Sequence, residues 1–510
     1  MTRPISVKQS CQIVCTILAC LATSVVPSAC QTFKSLLSFN ASVAAPSETV
    51  VLIQGRDGGL YGTTGGGGDH KAGTIFRVEP RTGLQRLYSF CAQDNCADGS
   101  YPDAGLVLGT DGSFYGTTYQ GGAANNGVVF KFSPAGKYTV LYSFCTEVNC
   151  ADGAYPEAKL VEGVDGNFYG TTFWAGANAN ESLYDDGGGT VFKITPDGKL
   201  TTLHSFCAQP NCTDGDSSMG GLIQATDGNF YGTTTAGGAS GACAGGCGTI
   251  FRITPSGTLS TLYSFCSHTD CTDGSYPYSG MIEANDGNFY GTTVNGGMYT
   301  YGSAFQLKPS LEFESIYSFC YEAGCPDGVD PHAGLTQATD GIIYGATDLL
   351  VLNECNGGGN YRCGTLFSLT TAGSLTTLYT FCPENRFPGV DCTQGTFPGG
   401  LAQATDGNFY GITSLGGNNQ LGTLFSLSTG LSRFVSFVLP AGRDNQTAQI
   451  LGLGLTGTTA VTLNGTPMNF TVVSDTFLTA TVPPGATTGY VTVTTPTGVL
   501  TSNIQFHVIE

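Results

Sequence analysis

The sequence predicts an all-β protein, and three observations carry that prediction. A motif of the form DGxxYGTT begins at Asp57, Asp111, Asp165, Asp227, Asp286, Asp340 and Asp406, at steps of 54 to 66 residues. Each of the seven units holds short runs rich in Val, Ile, Leu, Tyr, Phe and Thr, set apart by D-G-N and P-x-G turn signals, with no sustained 3.6-residue period. The seventh unit lacks its fourth run, and a run of that kind, FKSLLSF at 33–39, stands ahead of the first unit. Four strands per unit at this period fit the blades of a β-propeller. The expected fold is a seven-bladed β-propeller over 33–430, closed by the N-terminal strand, and then an immunoglobulin-like β-sandwich over 434–510.

Taking the elements in order, residues 1–29 have the layout of a secretory signal peptide. Arg3 and Lys8 precede an apolar stretch from Cys11 to about Val26, and Ser28 and Ala29 offer a small-residue cleavage site. That stretch is shorter than the ~20 residues of a membrane span. The expectation is a secreted or cell-surface protein with no transmembrane segment after signal cleavage. Cys30, directly after Ala29, raises a lipoprotein reading that Pro27 weakens.

The FKSLLSF run is expected to pair with the strand at 422–427, because a ring of sheets leaves two open edges unless its ends are joined. Within each unit the D-G-N and P-x-G turns belong to one face of the ring. The other face collects the variable segments, including the inserts from Thr171, Thr233 and Thr347 and the C-x4-C-x-D-G-x-Y-P loops. Long loops on a rigid scaffold are where binding groups are usually carried, so that face is the candidate ligand face.

Composition narrows the function. With 75 glycines in 510 residues and only 11% charged residues, the chain is neither a coiled coil nor a charge-rich disordered chain. Nineteen basic against 38 acidic residues give a net charge of −19, which argues against nucleic acid as a partner. Sixteen cysteines follow position 30, and they fall into local pairs. Cys91/Cys96, Cys145/Cys150, Cys207/Cys212, Cys266/Cys271 and Cys320/Cys325 share the spacing C-x4-C; Cys243 with Cys247, Cys355 with Cys363, and Cys382 with Cys392 complete the set. Neither CxxC spacing nor neighbouring His accompanies them, so disulfides in an oxidising compartment are expected in place of zinc.

The recurring LYSF…DGNFYGTT…GTxFK units over about 33–430 resemble the GloVer tandem repeat, a family of exported bacterial proteins. The resemblance implies export and a bacterial source, and it brings no catalytic residue with it. From about Phe434 the pattern changes to TAVTLNG, FTVVSDTFLTATVPPGATTG and YVTVTTPTG, β-branched runs separated by N-G, P-P-G and T-P-T-G. This wording resembles the IPT/TIG family, which implies an immunoglobulin-like spacer or adhesive module.

Candidate functional residues follow from the loops. Asp98, Asp152, Asp273 and Asp327, with Tyr101, Tyr155 and Tyr276, are expected near the channel mouth, where Tyr would stack on a sugar and Asp would hydrogen-bond it. Turn formation explains the Asp and Pro equally well. Trp174, the sole Trp, shares a long insert with Tyr184 and Asp185, a composition that fits glycan contact. The Asp of each D-G turn reads as turn chemistry, since one carboxylate per turn falls far short of the six to eight oxygens that calcium needs. No G-x-S-x-G, H-E-x-x-H or phosphate loop occurs. The expectation is a non-enzymatic protein that binds an extracellular glycan or a cell-surface protein, with no catalytic residue and no cofactor. The rival is a calcium-assisted propeller glycan hydrolase or lyase, to which Glu157, Glu162 and Glu283 would supply carboxylates.

Overall fold

The computed structural model describes residues 31–43, 46–47, 50–79, 83–179, 187–322, 324–349, 364–382 and 392–509. The signal segment with Cys30 lies outside the described residues, as do Tyr184 and Asp185. Cys355 and Cys363, expected as a disulfide pair, also lie outside the described residues. Among the described residues helix is confined to single 3-10 turns such as Asp94–Cys96, and no helix is long and apolar enough to cross a membrane.

Between residues 32 and 428 the strands form seven antiparallel sheets. Six have four strands in chain order; the third, for example, comprises Val161–Glu162, Phe168–Thr172, Thr190–Ile194 and Leu200–Ser205. The seventh takes its outer strand from the start of the chain. Thr32–Ser38 runs antiparallel to Thr423–Ser428, from Thr32 opposite Ser428 to Ser38 opposite Thr423.

Each recurring motif has a physical reason. In YGTT the glycine faces the Phe of the neighbouring GTxF strand, as Gly170 does Phe192. A Cβ on Gly170 would lie 2.7 Å from the Phe192 ring, so the ring fills the space that only glycine leaves. In DGxxY the tyrosine hydroxyl returns to the turn: Tyr169 donates to Asp165 at 2.9 Å, and the other six units repeat the bond at 2.7 to 2.9 Å. The tyrosine ring then stacks on the next sheet, Tyr115 on Phe168 at 3.9 Å and Tyr169 on Phe230 at 3.9 Å.

A polar clasp links neighbouring sheets at their innermost strands. Glu162 accepts from the Thr110 amide at 2.9 Å, Gln224 from Val164 at 2.8 Å, and Glu283 from Thr226 at 2.9 Å. Gln337 accepts from Asn285 at 2.8 Å, Gln403 from Thr339 at 3.2 Å, and Gln54 of the first sheet from Thr405 of the seventh at 3.0 Å. Sheets one and seven also share a core in which Phe39, Leu52, Leu60 and Phe76 meet Tyr410, Ile412 and Leu424.

The first-to-second junction differs, because Leu108 stands at the clasp position and has no acceptor. Arg56 bridges it instead, donating to the Thr110 carbonyl at 2.7 Å and to Gln449 of the C-terminal region. That region has two four-stranded sheets around one core, including Val435, Ile450, Leu463, Leu478 and Val493, and a short parallel pair, Ala441–Arg443 with His507–Ile509. It docks on the D-G turns. Phe477 and Leu451 join the core of the first two sheets, the Arg56 guanidinium lies 4.8 Å over the Phe477 ring, and Thr476 donates to the Arg56 carbonyl at 2.7 Å.

Phe39 is fully buried at the junction of the first and last sheets. Phe39→Ala is therefore expected to lower unfolding free energy by about 3–5 kcal/mol in urea titration. A loss under about 1 kcal/mol would mean that this junction carries little of the fold.

Candidate functional site

The C-x4-C loops and the inserts lie together, each loop bridging to the insert of the following sheet: Ser100 with Gln120, Ala154 with Trp174, Asp216 with Ala236, Ser275 with Asn295. Disulfides join Cys91–Cys96, Cys145–Cys150, Cys207–Cys212, Cys243–Cys247, Cys266–Cys271, Cys320–Cys325 and Cys382–Cys392. These are seven of the eight bonds expected from cysteine spacing. The eighth expected pair, Cys355 with Cys363, lies outside the described residues. So short a loop gains little chain entropy from its bond, and the bond serves to hold the loop shape.

Asp98, Asp152 and Asp273 correct the expectation that they meet a ligand. All three are fully buried, and their oxygens are taken up within their own loops. Asp98 accepts from the Tyr88 hydroxyl at 2.7 Å and from the Ala92 and Gln93 amides at 3.0 Å. Asp152 and Asp273 receive the same set from Tyr142 and Tyr263 and the following amides. In the third unit His204 replaces the tyrosine and meets Asp214 at 2.9 Å. The Tyr of LYSF and the Asp ten residues later are thus one structural device.

Tyr101, Tyr155 and Tyr276 have left-handed backbones, with φ of 57°, 55° and 56°, and Ser217, Asp330 and Phe397 do likewise. The hydrogen bonds explain this strained geometry. Tyr155 donates its amide to Asn126 of the preceding sheet at 2.9 Å and accepts from Phe173 of its own at 3.0 Å, a sharp bend between two neighbours. Their side chains diverge in role. Tyr101 is exposed, Tyr276 is half-buried, and Tyr155 packs edge-on against Trp174 at 5.2 Å and against Tyr119 at 4.8 Å. Phe173 stacks on Trp174 at 5.5 Å.

A cavity of about 380 Å³ is lined by the starts of the inner strands and includes Glu157, Lys159, Met219, Tyr278 and His332. Desolvation, and then the charge of Asp103, push the Glu157 carboxyl up to about 7. Desolvation alone pushes Asp103 up to about 7. Burial and the charges of Glu157, Tyr155 and Asp103 raise Tyr119, which places it among the same groups. On the far side His332 sits 5.0 Å from the Tyr278 ring and 2.8 Å from Asp348. Two carboxyls poised near neutrality, with aromatic walls, can accept hydrogen bonds from hydroxyls and can exchange a proton.

The sequence points to Glu157 but not to Asp103, Tyr119, Lys159, Tyr278 or His332. A signal existed. Two residues after the left-handed position the units read Asp103, Glu157, Met219, Tyr278 and His332, a chemically varied position inside an otherwise repeated phrase. Among the described residues, the groups of three or more metal-type side chains with converging ligand atoms are Cys243, Cys247, Cys266 and Cys271, and Cys207, Cys212 and Asp216. Their sulfurs are engaged in disulfides.

The Asp103 and Glu157 carboxyls hold protons in the folded chain that they would release near 3.8 and 4.5 when unfolded. Between those values and about 7 the folded state binds more protons, so their contribution to stability falls as pH rises through this window. An Asp103→Asn/Glu157→Gln variant should gain several kcal/mol, up to about 7, over the parent at pH 8 relative to pH 4 in urea titrations. Equal pH dependence in the two proteins would contradict the assignment.

The model of the Gloeobacter/Verrucomicrobia repeat family matches residues 24–243, 149–349 and 241–469. No curated protein is similar in sequence. Among solved structures, a periplasmic gluconolactonase of Pseudomonas aeruginosa is 14% identical with a TM-score of 0.41, covering 73% of this chain and 97% of its own. A fungal alcohol oxidase solved with copper is 12% identical with a TM-score of 0.46, covering 94% and 99%. A putative 6-phosphogluconolactonase from Bacteroides uniformis is 15% identical with a TM-score of 0.42, covering 70% and 89%. Likeness at this level carries no argument about activity.

Proposed function

The chain belongs to the Gloeobacter/Verrucomicrobia repeat family, and on that footing we propose that it is an exported, non-enzymatic binding protein whose long-loop face takes an extracellular polysaccharide. The seven sheets act as the blades of a propeller, with Thr32–Ser38 closing the seventh. The two C-terminal sheets are an immunoglobulin-like module of the IPT/TIG kind, a base or spacer on the D-G turn face. Local disulfide pairs and the leading apolar segment support export to an oxidising compartment.

One observation carries the reading: Trp174, Tyr155, Tyr119 and Phe173 form one aromatic group, and the charges of Asp103 and of Glu157, which lines the cavity, act on Tyr119. Aromatic faces pack against the C–H surface of a sugar ring, and flanking carboxyls accept its hydroxyls. Glycan-array screening of the exported protein is expected to find a saccharide ligand, with Trp174→Ala weakening it by about tenfold or more. Unchanged affinity in that variant would remove the aromatic group from the site.

The rival reading, a glycan hydrolase or lyase assisted by calcium, is favoured by the paired carboxyls at about 7. Release of reducing ends or of unsaturated products, with and without added calcium, would support it if Glu157→Gln abolished the signal. Binding without turnover supports the first reading.

A further inference from the structure

We infer that the channel cavity takes an anionic saccharide unit, its charge borne by a carboxylate or a sulfate ester, and that Lys159 receives that charge. The inference rests on the saccharide reading above and adds the ligand class to it.

Four residues after the left-handed position, the units place Gly105, Lys159, Gly221, Gly280 and Gly334, and all five line the cavity. Glycine at four of these positions leaves the channel wall bare of side chains, and one unit introduces a long cation. A Cβ on Gly105 would lie 3.7 Å from Lys159 Cδ, and one on Gly221 would lie 3.3 Å from the Lys159 carbonyl oxygen.

No hydrogen bond or ion pair with the described residues engages the ammonium, and desolvation alone acts on it, pulling it below the usual lysine range. Glu157, two residues earlier, lines the same cavity, but the charge acting on its carboxyl is that of Asp103 and not of Lys159. Lys159 is part-buried in the cavity wall, and an ammonium there without a protein partner gains from an anionic one. In a cavity flanked by sugar-type aromatics, the missing partner is an anionic group on the ligand.

A net charge of −19 opposes polyanions at a distance. Screening confines that repulsion to about 8 Å at physiological ionic strength, so it acts at the outer surface and little on one recessed ammonium. The combination favours one charged unit or chain end entering the channel over adsorption along a polyanion.

The test is calorimetric titration of the full exported chain with three oligosaccharides of equal length: an oligogalacturonate, a sulfated carrageenan oligosaccharide and a neutral xylo-oligosaccharide. At least one anionic probe should bind about tenfold or more tighter than the neutral one, with an advantage that shrinks as salt is raised. The tighter of the two anionic probes identifies carboxylate or sulfate as the favoured group. Lys159→Met should bring anionic and neutral affinities together. Lys159→Gly, the residue of four sister sheets, is the second variant should methionine disturb the fold. Equal affinities in the parent chain, or a preference that survives both substitutions, would overturn the inference while leaving saccharide binding in place. Failure of all three probes to bind would overturn both.

Discussion

A four-stranded sheet with apolar side chains on both faces is not stable alone, and this constraint governs everything else in the molecule. In each sheet the YGTT strand is buried throughout. Both faces must be covered by neighbours. Seven sheets satisfy this need for one another only if the last also meets the first, which the shared core of Phe39, Phe76, Tyr410 and Leu424 accomplishes. Apolar packing of this kind tolerates sliding. The Gln and Glu side chains that accept amides from the preceding sheet have fixed geometry, so they set the spacing that the stacked Tyr and Phe rings then fill.

The same constraint separates the D-G turn side of the sheets from the loop side. On the D-G turn side the clasp fails once, at Leu108, and there Arg56 and the C-terminal sheets take over. On the other side the loops are tied down by disulfides and by buried aspartates that accept from Tyr88, Tyr142 and Tyr263. A rigid rim allows one position per unit to vary without cost to the scaffold. Asp103, Glu157, Tyr278 and His332 occupy that position, and the wall glycines make room for Lys159.

Much of the fold was legible in the sequence because its local signals recur seven times. Turn dipeptides, glycine opposite phenylalanine and the spacing DGxxY each require a specific geometry, and the run at 33–39 is the only one without a neighbour in sequence. The candidate site was less legible. Asp98 and Asp152 invite a binding role when read beside Tyr101 and Tyr155, yet their partners lie ten residues earlier across a turn, a separation that only the folded loop brings to 2.7 and 2.8 Å. Trp174 and Tyr155 meet because the loop of one sheet bridges the insert of the next. Asp103 and Glu157 come together from neighbouring sheets, and each taken singly is an ordinary acidic residue in a turn.

Closure of the ring rests on the junction between the last sheet and the first. Native-state amide hydrogen exchange tests it directly, at Thr110, Val164, Thr226, Asn285, Thr339 and Thr405, the six amides held by side-chain clasps. The expected result is comparable, slow exchange at all six, with Thr405 as protected as Val164 or Thr226. Rapid exchange at Thr405 beside slow exchange at the others would show an array that does not close, and the arrangement of the loop face around one channel would then be wrong.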